Sequence, residues 1–219
     1  MQSKSNKAFN GDRYLEKSIA GIVKKYKVKI IIETGTYLGH STKIFSGFTK
    51  SVHTIENNRQ FIKLAMWNCR NSKNITFYPG NSPVILKKIL KTVKGPILFY
   101  LDAHWFNYWP ILDELKVIAQ YGNKNSIIVI HDFFVPGKNL GYDSYVDLKG
   151  RLGFIYSQVD TVLRLISPKL SEYLFKKQKL DWNYIKELVL KINPNYTYTY
   201  NAKAEGARRG VIFITPPNL

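Results

Sequence analysis

The sequence lacks the features that stabilise small secreted domains or hold a protein in a membrane. Its 219 residues include one cysteine, Cys69, which excludes an internal disulfide framework and a zinc site built from several cysteines. The longest apolar runs have the length of a strand, and the polar N-terminal stretch MQSKSNKAFNGDR has no apolar segment typical of a secretory signal. We therefore expect a soluble, cytoplasmic protein without a membrane span.

Acidic residues are scarce relative to basic ones. Lysine and arginine total 33 against 15 aspartates and glutamates, which gives a formal net charge of +18. This excess favours polyanionic partners, such as nucleic acid, an acidic membrane surface or a phosphate-bearing small molecule. The lysines nevertheless occur in short groups spread along the chain, and each group alone is more typical of a solvated helix face. The charge narrows the class of partner without naming the function.

Composition and hydrophobic periodicity predict one α/β domain covering residues 1–219. Apolar residues make up 45% of the chain, which is enough for a substantial core. Short apolar runs alternate with amphipathic stretches, as in repeated strand–helix–strand units. The predicted strands are 28–32, 51–55, 75–78, 96–101 and 126–130, and the predicted helices are 12–26, 41–48, 59–70, 83–93 and 109–121. This order predicts a Rossmann-like, doubly wound and mostly parallel sheet.

The rhythm changes after Pro136. Residues 142–192 are predicted to be mainly helical, either as a lid over the ligand edge or as additional packing on the flank of the sheet. Two late strands, 196–200 and 211–215, are separated by a loop that is long for a hairpin but carries turn residues; paired as a C-terminal antiparallel hairpin, they would complete a seven-stranded sheet.

Polar residues follow the predicted strands at their carboxyl ends, where parallel sheets bind ligands. The first of these segments, Glu33-Thr-Gly-Thr-Tyr-Leu-Gly-His-Ser-Thr42, contains two glycines and leads into a helix. Helix N-termini present unpaired N–H groups and glycines admit a ligand close to the backbone, so the segment predicts a cradle for a polar molecule. A tight strand-to-helix turn is the alternative.

Glu56 ends the second predicted strand and could accept hydrogen bonds from both hydroxyls of a ribose. A solvated carboxylate at the end of a strand is the alternative. The glycines, Gly35 and Gly39, depart from the G-x-G-x-x-G pattern of dinucleotide-binding turns. This departure makes a nicotinamide cofactor less expected than a ligand with one nucleoside and a zwitterionic tail.

Four segments, "IIETGTYLGHST", "VHTIENN", "LFYLDAHW" and "IIVIHDFFVPG", resemble the class I S-adenosylmethionine-dependent methyltransferases over about residues 28–136. The resemblance is strongest to metal-dependent O-methyltransferases of the catechol and macrocin types. It implies S-adenosyl-L-methionine as cofactor, with its methionine part near Glu33, its ribose at Glu56 and its adenine near Ser82. The cofactor-binding residues implied in this way are Glu33, Gly35, Thr36, Gly39, Ser41, Glu56, Asn81, Ser82 and Asp102.

The same resemblance implies a divalent metal, Mg²⁺ or Mn²⁺, bound after the fourth and fifth strands by Asp102, His131 and Asp132. The catechol enzyme has Asp-Asn where His131-Asp132 stands here, and imidazole suits Mn²⁺ better than Mg²⁺. His104 is a candidate general base because imidazole exchanges protons near neutral pH. The predicted catalytic residues are therefore Asp102, His104 and Asp132. Orientation or hydrogen bonding in the core is the alternative role for the two histidines.

The acceptor is predicted to be a hydroxyl of a small molecule, with a sugar or nucleotide-linked sugar preferred because of the positive charge. Arg208 and Arg209, in the turn of the late hairpin, could grip a phosphate, and Trp105 and Tyr108 could stack on a sugar or base. Exposed arginines and simple aromatic packing are the alternatives. An RNA methyltransferase, or a catalytically silent fold that binds nucleotide sugars or proteins, remains open as an alternative function.

Overall fold

The computed structural model describes residues 7–104, 109–145, 166–167 and 178–217. After a short 3₁₀ helix, Ala8–Gly11, the helices are α1 Arg13–Lys25, α2 His40–Phe48, α3 Arg59–Asn68, α4 Ser82–Leu90, α5 Ile111–Tyr121 and α6 Trp182–Ile192. The strands are β1 Ile30–Thr34, β2 Ser51–Glu56, β3 Ile75–Pro79, β4 Ile97–Leu101, β5 Ile127–His131, β6 Ser144–Tyr145, β7 Gln178–Lys179, β8 Thr197–Tyr200 and β9 Val211–Thr215.

Seven of these strands form one sheet in the order β3-β2-β1-β4-β5-β9-β8. Strands β1 to β5 are parallel, whereas β9 runs antiparallel to both β5 and β8. The mostly parallel, doubly wound sheet and its C-terminal antiparallel hairpin confirm the predicted fold class. Because β8 runs in the same direction as the parallel strands, the turn between β8 and β9 lies at their carboxyl edge.

Helices cover the sheet on both faces, which explains why its central strands are mostly apolar. Side chains alternate across β1, so that Ile30 and Ile32 pack in a core with α4, α5 and α6, while Ile31 packs in a second core with α1 and α2. All five residues of β1, β4 and β5 are buried. Parallel strands that are buried on both faces require such continuous apolar runs.

The strand order reverses between β1 and β4, and a crevice at this point is where open α/β sheets bind ligands. The two strand ends are very close there: the amide N–H of Asp102 donates to the carbonyl of Thr34 over 3.1 Å. Gly35 has φ +87°, and a Cβ added to it would lie 2.6 Å from the carbonyl oxygen of Asp102. Only glycine fits this position, because both the backbone conformation and the space exclude a side chain.

The region predicted to be mainly helical contains α6, but it also contains a two-stranded antiparallel sheet, β6 and β7, that was not predicted. Residues 146–165 and 168–177 lie outside the described residues. The predicted lid falls mostly on these residues. Backbone hydrogen bonds from Phe134 to Leu180 and from Leu180 to Asp143 join the residue after β7 to the segment between β5 and β6. Within the described ranges, no helix combines the length and apolar character needed to cross a membrane.

Replacing Gly35 by alanine should destabilise the protein by at least about 2 kcal/mol, because the new Cβ meets the backbone of Asp102 in a left-handed conformation. Gly21→Ala is the matched control, since Gly21 lies inside α1 with no atom within 4 Å of an added Cβ. The control should stabilise the protein by about 0.5–1 kcal/mol. Urea unfolding measures both changes, and equal stability of the two variants would contradict this account of Gly35.

Candidate functional site

Glu33, the fourth residue of β1, is fully buried and holds the start of the glycine turn together. Its carboxylate accepts hydrogen bonds from the hydroxyls of Ser41 and Thr42, both over 2.5 Å, and from Thr54 over 2.7 Å. Burial raises the pKa of Glu33 to about 7, although the three hydroxyls oppose the rise. Glu33 therefore fixes β1 against α2 and β2 and holds Ser41 in the first turn of α2.

The turn after β1 is shaped by Gly35 and Gly39, both in the left-handed region. Thr36 is buried and its hydroxyl lies 2.6 Å from that of Thr54. Gly39 is the N-cap of α2 and packs tightly on α3, where a Cβ would lie 3.1 Å from the sulfur of Cys69. The Cys69 thiol donates to the carbonyl of Gly39, and burial raises its pKa to about 11.

Glu56 ends β2 beside this turn and is partly exposed. One carboxylate oxygen accepts from the amide of Tyr37 and the other from the amide of Asn58, each over 2.8 Å. The two bonds orient the carboxylate at the carboxyl edge. Since each oxygen can accept a second hydrogen bond, the group can still receive donors from a ligand.

Ser82 is the first residue of α4, and its neighbour Asn81 is the N-cap. The hydroxyls of Ser82 and Thr34 and both carboxylate oxygens of Glu114 are buried without a hydrogen-bond partner among the described residues. Burial raises the pKa of Glu114 to about 7, and the nearby hydroxyls of Ser82 and Thr34 oppose the rise without reaching hydrogen-bonding geometry. Glu114 also lines a small cavity that it shares with Asp102.

His131 joins the ends of β4 and β5. Its Nδ1 lies 3.2 Å from Oδ1 of Asp102 and 3.0 Å from Oδ1 of Asp132, and its side chain is 2% exposed. Burial alone would lower the pKa of His131, but the two carboxylates outweigh burial and raise the pKa well above its usual value. His131 therefore orients both carboxylates from the interior.

Arg209 approaches the same cluster from the turn between β8 and β9. Its Nε donates to Oδ1 of Asp132, and its Nη2 donates to Oδ1 of Asp143 over 2.5 Å. The charges of His131 and Arg209 hold the pKa of Asp132 well below its usual range, although burial acts in the opposite direction. The exposed His104 imidazole lies on the outer side of the cluster, 3.7 Å from Asp143.

Three groups can offer donor atoms to a metal ion. Each residue offers one ligand atom, a carboxylate oxygen or an imidazole nitrogen, and these three atoms lie within 4.8 Å of one another; the residues are Asp102, His104 and Asp132. Two carboxylate oxygens and an imidazole nitrogen form a donor set that suits Mn²⁺ and other first-row ions. The predicted set contained His131 in place of His104, but the Nδ1 of His131 is directed at both carboxylates. The described geometry therefore favours His104 as the nitrogen donor.

Of the other residues predicted to bind the acceptor, only Arg208 lies among the described residues. Arg208 is exposed in the turn between β8 and β9, where its carbonyl accepts from the amide of Gly141. Trp105 and Tyr108, predicted as stacking residues, lie outside the described residues. Sequence reasoning missed Asp143 and Glu114. Asp143 lies in a stretch assigned to helix, and Glu114 has the appearance of an ordinary charged residue in an amphipathic helix.

Neither protein-family models nor curated protein sequences match this chain. Its structure is similar to that of an O-methyltransferase from Bacillus cereus solved with S-adenosylhomocysteine, with a TM-score of 0.60 and 14% identity over 93% of this chain and 81% of that chain. A provisionally assigned caffeoyl-CoA O-methyltransferase from Staphylococcus aureus gives a TM-score of 0.56 and 17% identity over 93% of this chain and 84% of that chain.

An rRNA methylase from Streptococcus thermophilus gives a TM-score of 0.51 and 11% identity over 92% of this chain and 93% of that chain. The three similarities extend over almost the whole chain, and they establish that it has the class I methyltransferase fold. Proteins with this fold are described as acting on different acceptors, so the fold does not identify the acceptor.

The buried carboxyl of Glu114 should make stability depend on pH. Its raised pKa means that the folded protein holds this proton more tightly, so the contribution of Glu114 to the free energy of unfolding is fully present below pH 4.5 and declines until about pH 7. Relative to wild type, Glu114→Gln should therefore gain about 2–3 kcal/mol between pH 5 and pH 8.

Urea unfolding at the two pH values measures this gain. Asp113→Asn is the control, because Asp113 lies one position earlier on α5 and pairs at the surface with Lys116 over 2.7 Å. A difference between wild type and Glu114→Gln that is independent of pH would show that Glu114 does not titrate in this range.

Proposed function

We propose that this protein is an S-adenosylmethionine-dependent O-methyltransferase that methylates a hydroxyl of a small molecule with the assistance of a divalent metal ion. The observation that carries the proposal is the convergence of Glu56, Asp102 and Asp132 on the carboxyl edge of a methyltransferase fold. This edge combines a carboxylate suited to a ribose with donor groups suited to a cation.

The cofactor would lie across the crevice between β1 and β4. The glycine turn admits the methionine part close to the backbone, and Glu56 would accept hydrogen bonds from the ribose hydroxyls. Asn81 and Ser82, at the start of α4, would face the adenine side. The sulfonium would then lie near Asp102, whose carboxylate is compatible with a positive charge.

Methyl transfer is an in-line displacement: the acceptor oxygen forms a bond to the methyl carbon as the bond from that carbon to sulfur breaks. The products are S-adenosylhomocysteine and the methyl ether, and the hydroxyl proton must leave the acceptor. Without a bound ion, the exposed His104 imidazole would accept this proton; with His104 bound to an ion, the proton would pass to solvent. A bound divalent ion would make the acceptor hydroxyl more acidic. Asp102, His104 and Asp132 would hold that ion, and His131 would orient the two carboxylates.

A phosphate-bearing acceptor, such as a sugar phosphate or a nucleotide-linked sugar, fits the charge of the protein. The net charge of +18 favours anionic ligands. Arg208 is exposed at the carboxyl edge, and a guanidinium can bind phosphate through two parallel hydrogen bonds.

An RNA methyltransferase is the alternative function, and the same net charge supports it. One solved structure with this fold is described as an rRNA methylase. Generic RNA binding that survives a rise in salt concentration would favour this alternative over a small acceptor.

S-Adenosylhomocysteine should raise the thermal unfolding midpoint of the wild-type protein by roughly 5–10 °C at a concentration about 100 times its Kd. Glu56→Gln should weaken binding by about tenfold or more, because a neutral amide accepts ribose hydrogen bonds less strongly than a carboxylate. Glu187→Gln is the control, since Glu187 lies on α6 and pairs with Lys191. If the wild-type midpoint did not move at millimolar ligand, the proposed cofactor would be wrong.

Asp102→Asn should reduce methyl transfer by at least about 100-fold while the protein remains folded, because it removes a charged group from the reaction centre. The assay transfers labelled methyl groups to a panel of nucleotide sugars and sugar phosphates. Chelation should abolish wild-type turnover, and Mn²⁺ or Mg²⁺ should restore it. Full turnover after chelation would contradict metal assistance, and an unchanged rate in Asp102→Asn would contradict the assignment of Asp102.

A further inference from the structure

Arg209 occupies an unusual position for a residue predicted to bind an acceptor. Its guanidinium is half-buried and directed inward, where it bridges Asp132 and Asp143. Asp132 is one of the three groups that can donate to a metal ion. The carboxylate of Asp132 therefore pairs with the guanidinium of Arg209 and is also a candidate ligand for the metal ion.

The surrounding backbone is built to hold this arginine in place. A Cβ at Gly141 would lie 2.9 Å from Nη1 of Arg209, so a side chain there would meet the guanidinium. The amide of Gly210 donates to the carbonyl of Gly141, and the amide of Asp143 donates to the carbonyl of Asp132, each over 2.8 Å. These contacts fix Asp132, Asp143 and the arginine relative to one another, so the bridge is not a loose surface ion pair.

We propose that Arg209 is a positioning residue that acts as an internal competitor for the divalent cation. Its guanidinium holds Asp132 and lowers the affinity of the Asp102–His104–Asp132 site. This inference rests on the metal assistance in the proposed function. It assigns to Arg209 the control of the site's affinity for the metal ion.

Two physical effects act in the same direction. The guanidinium is a fixed positive charge within a few ångströms of the donor atoms, and it repels a second cation in a partly desolvated site. It also occupies Oδ1 of Asp132, which restricts the geometries in which this carboxylate can bind an ion. Removing the guanidinium should therefore strengthen metal binding, although it removes two ion pairs from the protein.

The direction of this effect separates competition from a purely structural role. Loss of a structural brace would loosen Asp132 and weaken metal binding. Loss of a competitor would instead tighten it, by about tenfold or more for a unit charge at this distance.

The experiment measures Mn²⁺ affinity directly, by the loss of the electron paramagnetic resonance signal of the free ion, without cofactor or acceptor. Wild type is compared with Arg209→Gln, which keeps much of the side-chain length but removes the charge. Arg208→Gln is the matched control, because it removes the same charge from the adjacent, exposed position. Arg209→Lys keeps the charge but cannot bridge both carboxylates, and circular dichroism checks that each variant is folded.

We expect Arg209→Gln to bind Mn²⁺ at least about tenfold more tightly than wild type, Arg208→Gln to change the affinity less than about twofold, and Arg209→Lys to lie between wild type and Arg209→Gln. Unchanged or weaker binding in folded Arg209→Gln would overturn the inference. If wild type binds Mn²⁺ and Asp102→Asn does not, the metal site stands whatever the result for Arg209. If neither wild type nor Arg209→Gln binds Mn²⁺, the inference and the metal assistance both fail, while the cofactor is tested separately by S-adenosylhomocysteine.

Discussion

The close approach of β1 and β4 at their carboxyl ends is the constraint on which the site depends. Gly35 has no side chain, so the backbone of Asp102 can approach the start of the turn, and this contact places the glycine turn beside Asp102. The buried carboxylate of Glu33 fixes the turn by accepting hydrogen bonds from the hydroxyls of Ser41, Thr42 and Thr54. The residues proposed for the cofactor and those proposed for a metal ion therefore lie on one continuous edge of the sheet rather than on two independent loops.

The fold could be predicted from the sequence because the patterns that indicate its helices and strands are local in the chain. Apolar runs, helical periodicity and the acids and glycines after each strand all depend on residues close together in the chain, and the predicted element bounds agree with the described ones to within three residues. The sequence also put Arg208 and Arg209 in the turn of the late hairpin, and Arg209 lies in this turn beside Asp132. The short strands β6 and β7 carry no comparable signal, since a two-residue strand has no periodicity.

Side-chain partners across the fold could not be predicted in this way. Whether Arg209 faces a ligand or Asp143 depends on packing between segments 66 residues apart. Likewise, nothing in the pattern around Glu114 indicates that its carboxyl is buried next to Thr34 and Ser82, because an amphipathic helix places acids on either face. His131 and His104 look alike in sequence, but one is enclosed between two carboxylates and the other is exposed.

The buried Cys69 gives this chain a built-in reporter. It is the sole thiol among the 219 residues, and its sulfur lies under Gly39 at the base of the turn that would receive the cofactor. Because this thiol is buried and its pKa is raised, we expect it to react slowly with alkylating reagents unless α3 moves away from the turn. The rate of alkylation thus reads out local opening of this part of the site, without any engineered label.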